Sequence, residues 1–103
     1  MRAVFYSDLI AAARALGGSP PGDRLHLCHR MLREADWADR YARRLGKVHP
    51  RWGNGTLGAA AGQYPQARAA AVNEADHLAC LLVILRALEA KSAASTCHAR
   101  PTA

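Results

Sequence analysis

Leu27, Cys28, Met31, Leu32, Ala35, Ala38, Ala42 and Leu45 recur at steps of one, three and four. Placed at 100° per residue they form one apolar stripe, with His26, His29, Arg33, Arg40 and Arg44 on the opposite side. This period predicts a helix over 23–45, with Asp23 as its cap and Gly46 as its stop. Trp37 and Tyr41, four apart, lie along one border of the stripe. A weaker pattern over 4–16 puts Leu9, Ala13 and Leu16 on one face, with Val4, Phe5 and Ala12 beside it. Gly17-Gly18 should end that helix with a left-handed cap. A third helix is expected over 74–91, capped near Asn73 with Asp76 three residues on. It is apolar almost all round from Leu78 to Leu85, which predicts the central element with the other two helices laid against it.

The stretch 47–73 breaks the pattern. "KVHP" should be extended, because Pro50 disfavours the helical region for His49. Thr56 can cap a short helix over 57–61. "GQYPQ" interrupts again, and "ARAAAV" reads as one more weak turn of helix. The end of the chain, 92–103, is small and polar and is expected to be disordered. The predicted fold is all-α: a small irregular bundle of three principal helices (4–16, 23–45, 74–91) plus a short helix near 57–61, in one domain over 1–91.

Composition agrees. Alanine is the commonest residue and β-branched residues are scarce, which favours helix over sheet. A chain of 103 residues supports one modest core. The longest apolar run, "LACLLVIL", is too short for a bilayer that needs about 20 residues. "MRAVFYSDLIAAARALGG" does not read as a secretory signal, since Asp8 and Arg14 interrupt any apolar region. Three cysteines, Cys28, Cys80 and Cys97, have no framework spacing, and a reducing cytoplasm fits them best.

The chain carries a net charge of +6, and of its 14 basic residues only Lys47 and Lys91 are lysine. A GC-rich genome accounts for the arginine bias without any function. The charge permits an acidic partner and requires none. It is unevenly placed. Between Asp23 and Arg51, eight basic residues (Arg24, Arg30, Arg33, Arg40, Arg43, Arg44, Lys47, Arg51) stand against four acidic ones (Asp23, Glu34, Asp36, Asp39).

Gly53-x-Gly55-x-x-Gly58 has the literal form of a dinucleotide fingerprint, but that motif needs a strand before it and a long helix after it. "VHPRW" is no strand, and the following helix is short. The glycines instead read as a structural turn made by Pro50, Gly53, Asn54, Gly55 and Thr56. The first amides of the short helix that Thr56 caps are expected to face outward and favour negative charge. His26, Cys28 and His29 cannot share an ion on a helix, and His77 with Cys80 lacks a third and fourth ligand, so no metal site is expected. No nucleophile stands beside a base and no carboxylate pair suggests acid and base roles, so neither catalysis nor a cofactor is expected.

What remains is a surface. Arg33, Trp37, Arg40, Tyr41, Arg44, Arg51 and Trp52 are the candidate partner-binding residues, on the second helix and the turn. The bland alternative is a solvated face with pairs such as Asp36–Arg40 at helical spacing. The expected function is a non-enzymatic regulatory or adaptor protein, monomer or homodimer, that docks on an unidentified protein. The runner-up is a nucleic-acid-binding regulator using the same arginines with stacked bases.

"HPRWGNGTLGAAA" after an Arg-rich amphipathic helix, followed by an Ala-rich gap and a Leu-rich helix, resembles a group of short uncharacterised helical proteins of high-GC alphaproteobacteria. The resemblance runs over about residues 1–90 and is specific at His49, Pro50, Trp52, Gly53, Gly55 and Leu57. It implies a bacterial cytoplasmic setting and carries no activity with it.

Overall fold

The structure, a computed structural model, describes residues 1–99, with side chains in the last helix as far as Ala93. The elements in order are α1 (Tyr6–Gly17), a 3-10 turn (Pro21–Asp23), α2 (Arg24–Leu45), α3 (Leu57–Ala61) and α4 (Ala75–Ala99). The all-α bundle is as the periodicity predicts, and the short third helix stands where the Thr56 cap placed it.

α1 starts two residues later than expected, because Asp8 sets its first turn. Extended Phe5 donates its amide to Asp8 Oδ2 at 2.9 Å. The helix does not end in a left-handed cap: Gly18 is right-handed, at φ −80°. Glycine is needed there for space, since a Cβ would lie 2.5 Å from the Pro65 carbonyl oxygen. The chain crosses α1 at that point. Ala67 N donates to Arg14 O at 2.9 Å and Arg14 Nε to Ala67 O at 2.7 Å. The segment "ARAAAV" is tied down this way and forms no helical turn.

α2 runs into its first turn from the 3-10 turn, whose Asp23 and Arg24 amides reach back to Pro20 O and Pro21 O. Asp23 occupies the cap position with near-helical angles, and its side chain makes no cap bond. A cap side chain reaches its amides from the extended region, which Asp23 does not occupy. Gly46 closes α2 at φ +69° with its amide on Ala42 O, as anticipated. Arg24 binds three helices together, donating to Leu16 O and, through both terminal nitrogens, to Asp76 at 2.8 and 3.1 Å.

α4 is not the central helix. His77, Cys80, Ile84 and Ala87 form one buried stripe, while Leu78, Leu82 and Leu85 are 42–46% exposed. α1 and α2 each touch the other three helices, and α1 makes the more extensive contact with α3 and α4. Its alanines explain this: Ala12, Ala13 and Ala15 are buried and thin enough for neighbours to approach closely on several sides. α4 also continues past Lys91. The expected disordered stretch from Ser92 is helical through Ala99, in a sequence with no glycine or proline to stop it, and residues 100–103 lie outside the described residues. The core is Leu16, Met31, Leu57, Ile84, Cys28 and Cys80 with the alanines of α1 and α3 around them. Burial pushes the Cys28 thiol up to about 11 and raises Cys80 as well, so both stay protonated and inert at neutral pH.

Candidate docking site

The turn from Gly46 to Thr56 folds back against the last half of α2. His49 and Gly53 pair as a single antiparallel bridge, His49 N to Gly53 O at 3.0 Å and Gly53 N to His49 O at 3.1 Å. Pro50, Arg51 and Trp52 form the loop it encloses. The amides of Arg51 and Trp52 both donate to His49 Nδ1 at 3.0 Å. The imidazole thus does what an Asn or Asp side chain does in an Asx-turn.

The glycines behave as the sequence requires at two of three positions. Gly53 and Gly55 have φ of +82° and +93°. Gly55 is also pressed onto α2, where a Cβ would stand 2.8 Å from Asp39 Cα. Its carbonyl accepts the Arg2 amide at 2.9 Å. Asn54 Oδ1 accepts from Thr56 N and Thr56 Oγ1, and Thr56 Oγ1 caps α3 through Ala59 N at 3.2 Å. Gly58 has ordinary angles and is needed for another reason. Its amide donates to Asp8 Oδ1 at 3.1 Å, and a Cβ would come within 2.5 Å of that oxygen. The start of α3, expected as an open anion-friendly surface, is therefore occupied by the protein's own carboxylate.

This scaffold gathers four aromatic rings. Trp52 is stacked on His49, with centroids 4.7 Å apart and planes at 9°. Trp37 leans on Trp52 at 5.4 Å, and Tyr41 meets the His49 ring edge-on at 4.7 Å. Trp52 is half-buried and Trp37 is 50% exposed. Leu57, just after the turn, is buried in the core. Trp37, Tyr41 and Leu45 line a shallow groove of about 320 Å³ with Arg40 and Arg44. Arg43 adjoins it.

The acids of α2 point away from this face. Asp36 binds the Met1 ammonium and Lys91 Nζ, the latter at 2.6 Å. Asp39, 6% exposed in its side chain, binds Met1 N at 3.2 Å and Arg43 at 3.1 Å. Glu34 accepts the Tyr64 hydroxyl at 2.6 Å and lies 3.9 Å from Arg30. Burial by itself raises Asp36, but the hydrogen bonds and charges of Lys91 and Met1 outweigh it and hold the carboxyl below its ordinary value. The i,i+4 pair Asp36–Arg40 does not form. Among the described residues Arg33, Arg40, Arg44, Lys47 and Arg51 have no ion-pair partner.

Of the candidate residues, then, Trp37, Arg40, Tyr41 and Arg44 share one groove, Trp52 props Trp37, and exposed Arg51 sits in the loop. Arg33 is elsewhere, in a groove between α2 and α4 with His29, Asp36 and Lys91. Sequence reasoning missed two parts. His49 stood out before Pro50 and among the positions of the resemblance, but its part as the acceptor of the turn and the ring under Trp52 was not read, although a side-chain acceptor ahead of a turn is a readable signal. The cradle of Asp36 and Asp39 around Met1 had no local signal at all.

No curated protein and no solved structure matches the chain. A family described as a domain of unknown function matches residues 2–88, a span that holds the bundle's core, the whole turn and every candidate residue. The chain belongs to that family, DUF7742.

Proposed function

We propose that this protein is a small non-enzymatic adaptor or regulator that docks on another protein through the Trp37/Tyr41/Leu45 groove of α2. The observation that carries this reading is a half-exposed Trp37 held from behind by Trp52 and His49, beside arginines that no acid neutralises. An exposed tryptophan whose backing is already ordered loses little freedom when a partner covers it. Tryptophan and arginine are the side chains most enriched among residues that dominate binding energy. The nucleic-acid reading uses the same arginines but is less well supported, because Trp37 alone of the four rings is exposed while single-strand binding stacks successive bases on successive rings. The inferred setting is the cytoplasm of a high-GC alphaproteobacterium, with the chain a monomer or homodimer.

The test is capture from lysate of the native host by the wild type, by Trp37→Ala and by Arg40→Glu/Arg44→Glu. A protein retained by the wild type and lost with Trp37→Ala supports docking on this face. Retention of the same proteins by all three removes it. Recovery of nucleic acid, with binding that weakens steeply with salt, favours the runner-up.

A further inference from the structure

The groove also indicates what kind of partner it fits, an inference that rests on the docking reading above. Trp37, Tyr41 and Leu45 are spaced four apart, so their row runs along α2 for about 12 Å at 1.5 Å per residue. Leu45 is 56% exposed, and Val48, just beyond the helix, is 59% exposed. Arg40 and Arg44, also four apart, form the wall of the same groove. The row is thus apolar along its floor and cationic along one side, with a period of one helical step.

The charge on that side is uncompensated by construction. Every carboxylate within α2 is committed elsewhere: Glu34 to Tyr64, Asp36 to Met1 and Lys91, Asp39 to Met1 and Arg43. Guanidinium groups at such spacing match carboxylates on a facing helix, which they can hold through paired hydrogen bonds. An extended peptide is a poorer match. The only strand-like pairing among the described residues is the His49–Gly53 bridge, which offers no sheet edge for another strand.

We infer that the occupant is an acidic amphipathic helix of a partner protein. Its apolar row lies on Trp37, Tyr41 and Leu45, and its flanking carboxylates meet Arg40 and Arg44. The two tryptophans of the chain both belong to this cluster, so fluorescence excited selectively at tryptophan reports on it alone.

The experiment titrates the full chain with four probes. The first is a 21-residue helix-forming peptide with leucines at i, i+3, i+4 and i+7 and glutamates beside them. The others are a scrambled peptide of the same composition, the same peptide with lysine for glutamate, and a single-stranded oligonucleotide. The expected result is a fluorescence change with the first peptide at an affinity at least tenfold above the scrambled one. Arg40→Glu/Arg44→Glu should abolish that preference while leaving the far-UV dichroism unchanged, since both side chains are exposed and unpaired. Equal binding of the two glutamate peptides overturns the inference, as does insensitivity to the arginine variant. Tighter binding of the oligonucleotide overturns it in favour of nucleic acid. A dimer of the unliganded chain that Arg40→Glu/Arg44→Glu dissociates overturns it in favour of a second copy. The host-lysate experiment separates the two levels. If Trp37→Ala loses a captured protein and the arginine variant keeps it, docking stands and the acidic helix falls. If neither variant loses anything, both fall.

Discussion

Asp8 and Gly58 give a prediction whose sign changes with background. The carboxylate of Asp8 is buried and accepts Phe5 N at 2.9 Å and Gly58 N at 3.1 Å, stapling the start of α1 to the start of α3. Gly58→Ala puts a methyl group 2.5 Å from Asp8 Oδ1. Either the carboxylate swings away or α3 backs off, and both routes give up a charge-assisted hydrogen bond of about 1.5–3 kcal/mol. Alanine recovers about 0.5–1 kcal/mol over glycine within a helix, so the net loss is about 0.5–2.5 kcal/mol. In Asp8→Ala the offending oxygen is gone, and of the Asp8 atoms near the new methyl only Cα remains, at an ordinary 3.5 Å. There the same Gly58→Ala change should stabilise by about 0.5–1 kcal/mol. The coupling of about 1.5–3 kcal/mol exceeds the roughly 0.5 kcal/mol scatter of additive sites. Urea unfolding of the four proteins, followed by far-UV dichroism, measures it. A Gly58→Ala effect of equal sign and size in both backgrounds would refute the staple.

Gly55→Ala should cost about 2 kcal/mol or more, since φ is +93° and a Cβ meets the α2 backbone at Asp39; a melting point within a degree of wild type would contradict this. Ile84→Ala, at 0% exposure, should lose about 2–5 kcal/mol, whereas Leu85→Ala, at 46%, should lose about 1 kcal/mol or less. Chemical denaturation distinguishes them, and equal losses would restore α4 as a fully surrounded helix. Asp36 is held below its ordinary value, so its contribution is present above the unfolded carboxylate range and is lost as pH falls through the folded value. Stability of wild type and Asp36→Asn measured from pH 6 down to pH 2 should therefore converge at the acid end, and parallel curves would count against the Met1–Asp36–Lys91 cluster. His49→Phe keeps a ring on Trp52 but removes the acceptor for two amides, whereas His49→Asn does the reverse. Tryptophan emission should shift to the red more in His49→Asn than in His49→Phe, and the opposite order would mean that the turn, rather than stacking, holds Trp52.

Much of this molecule was legible along the chain. The stripe from Leu27 to Ala38, the stop at Gly46, the Thr56 cap and the left-handed Gly53 and Gly55 all depend on interactions within about one helical turn. Residue type alone specifies those. The groove of Trp37, Arg40, Tyr41 and Arg44 was legible for the same reason, because neighbours on a helix surface are set by spacing. The failures share a cause of the opposite kind. Asp23 looked like a cap, Leu78 to Leu85 like a buried girdle, the start of α3 like an open anion site, and Asp36 like the partner of Arg40. Asp23 apart, which was overruled by the 3-10 turn just before it, these were decided by groups distant in sequence: Gly58 bonds to Asp8 across 50 residues and Lys91 to Asp36 across 55, and the exposure of the α4 leucines follows from which helices pack on it. Periodicity told which faces of each helix are apolar, but not which of those faces would be covered. That was settled when thin, alanine-rich α1 packed most extensively on α3 and α4, leaving the leucines of α4 half in solvent, and when the acids of α2 found partners elsewhere, leaving Arg33, Arg40 and Arg44 outside without partners.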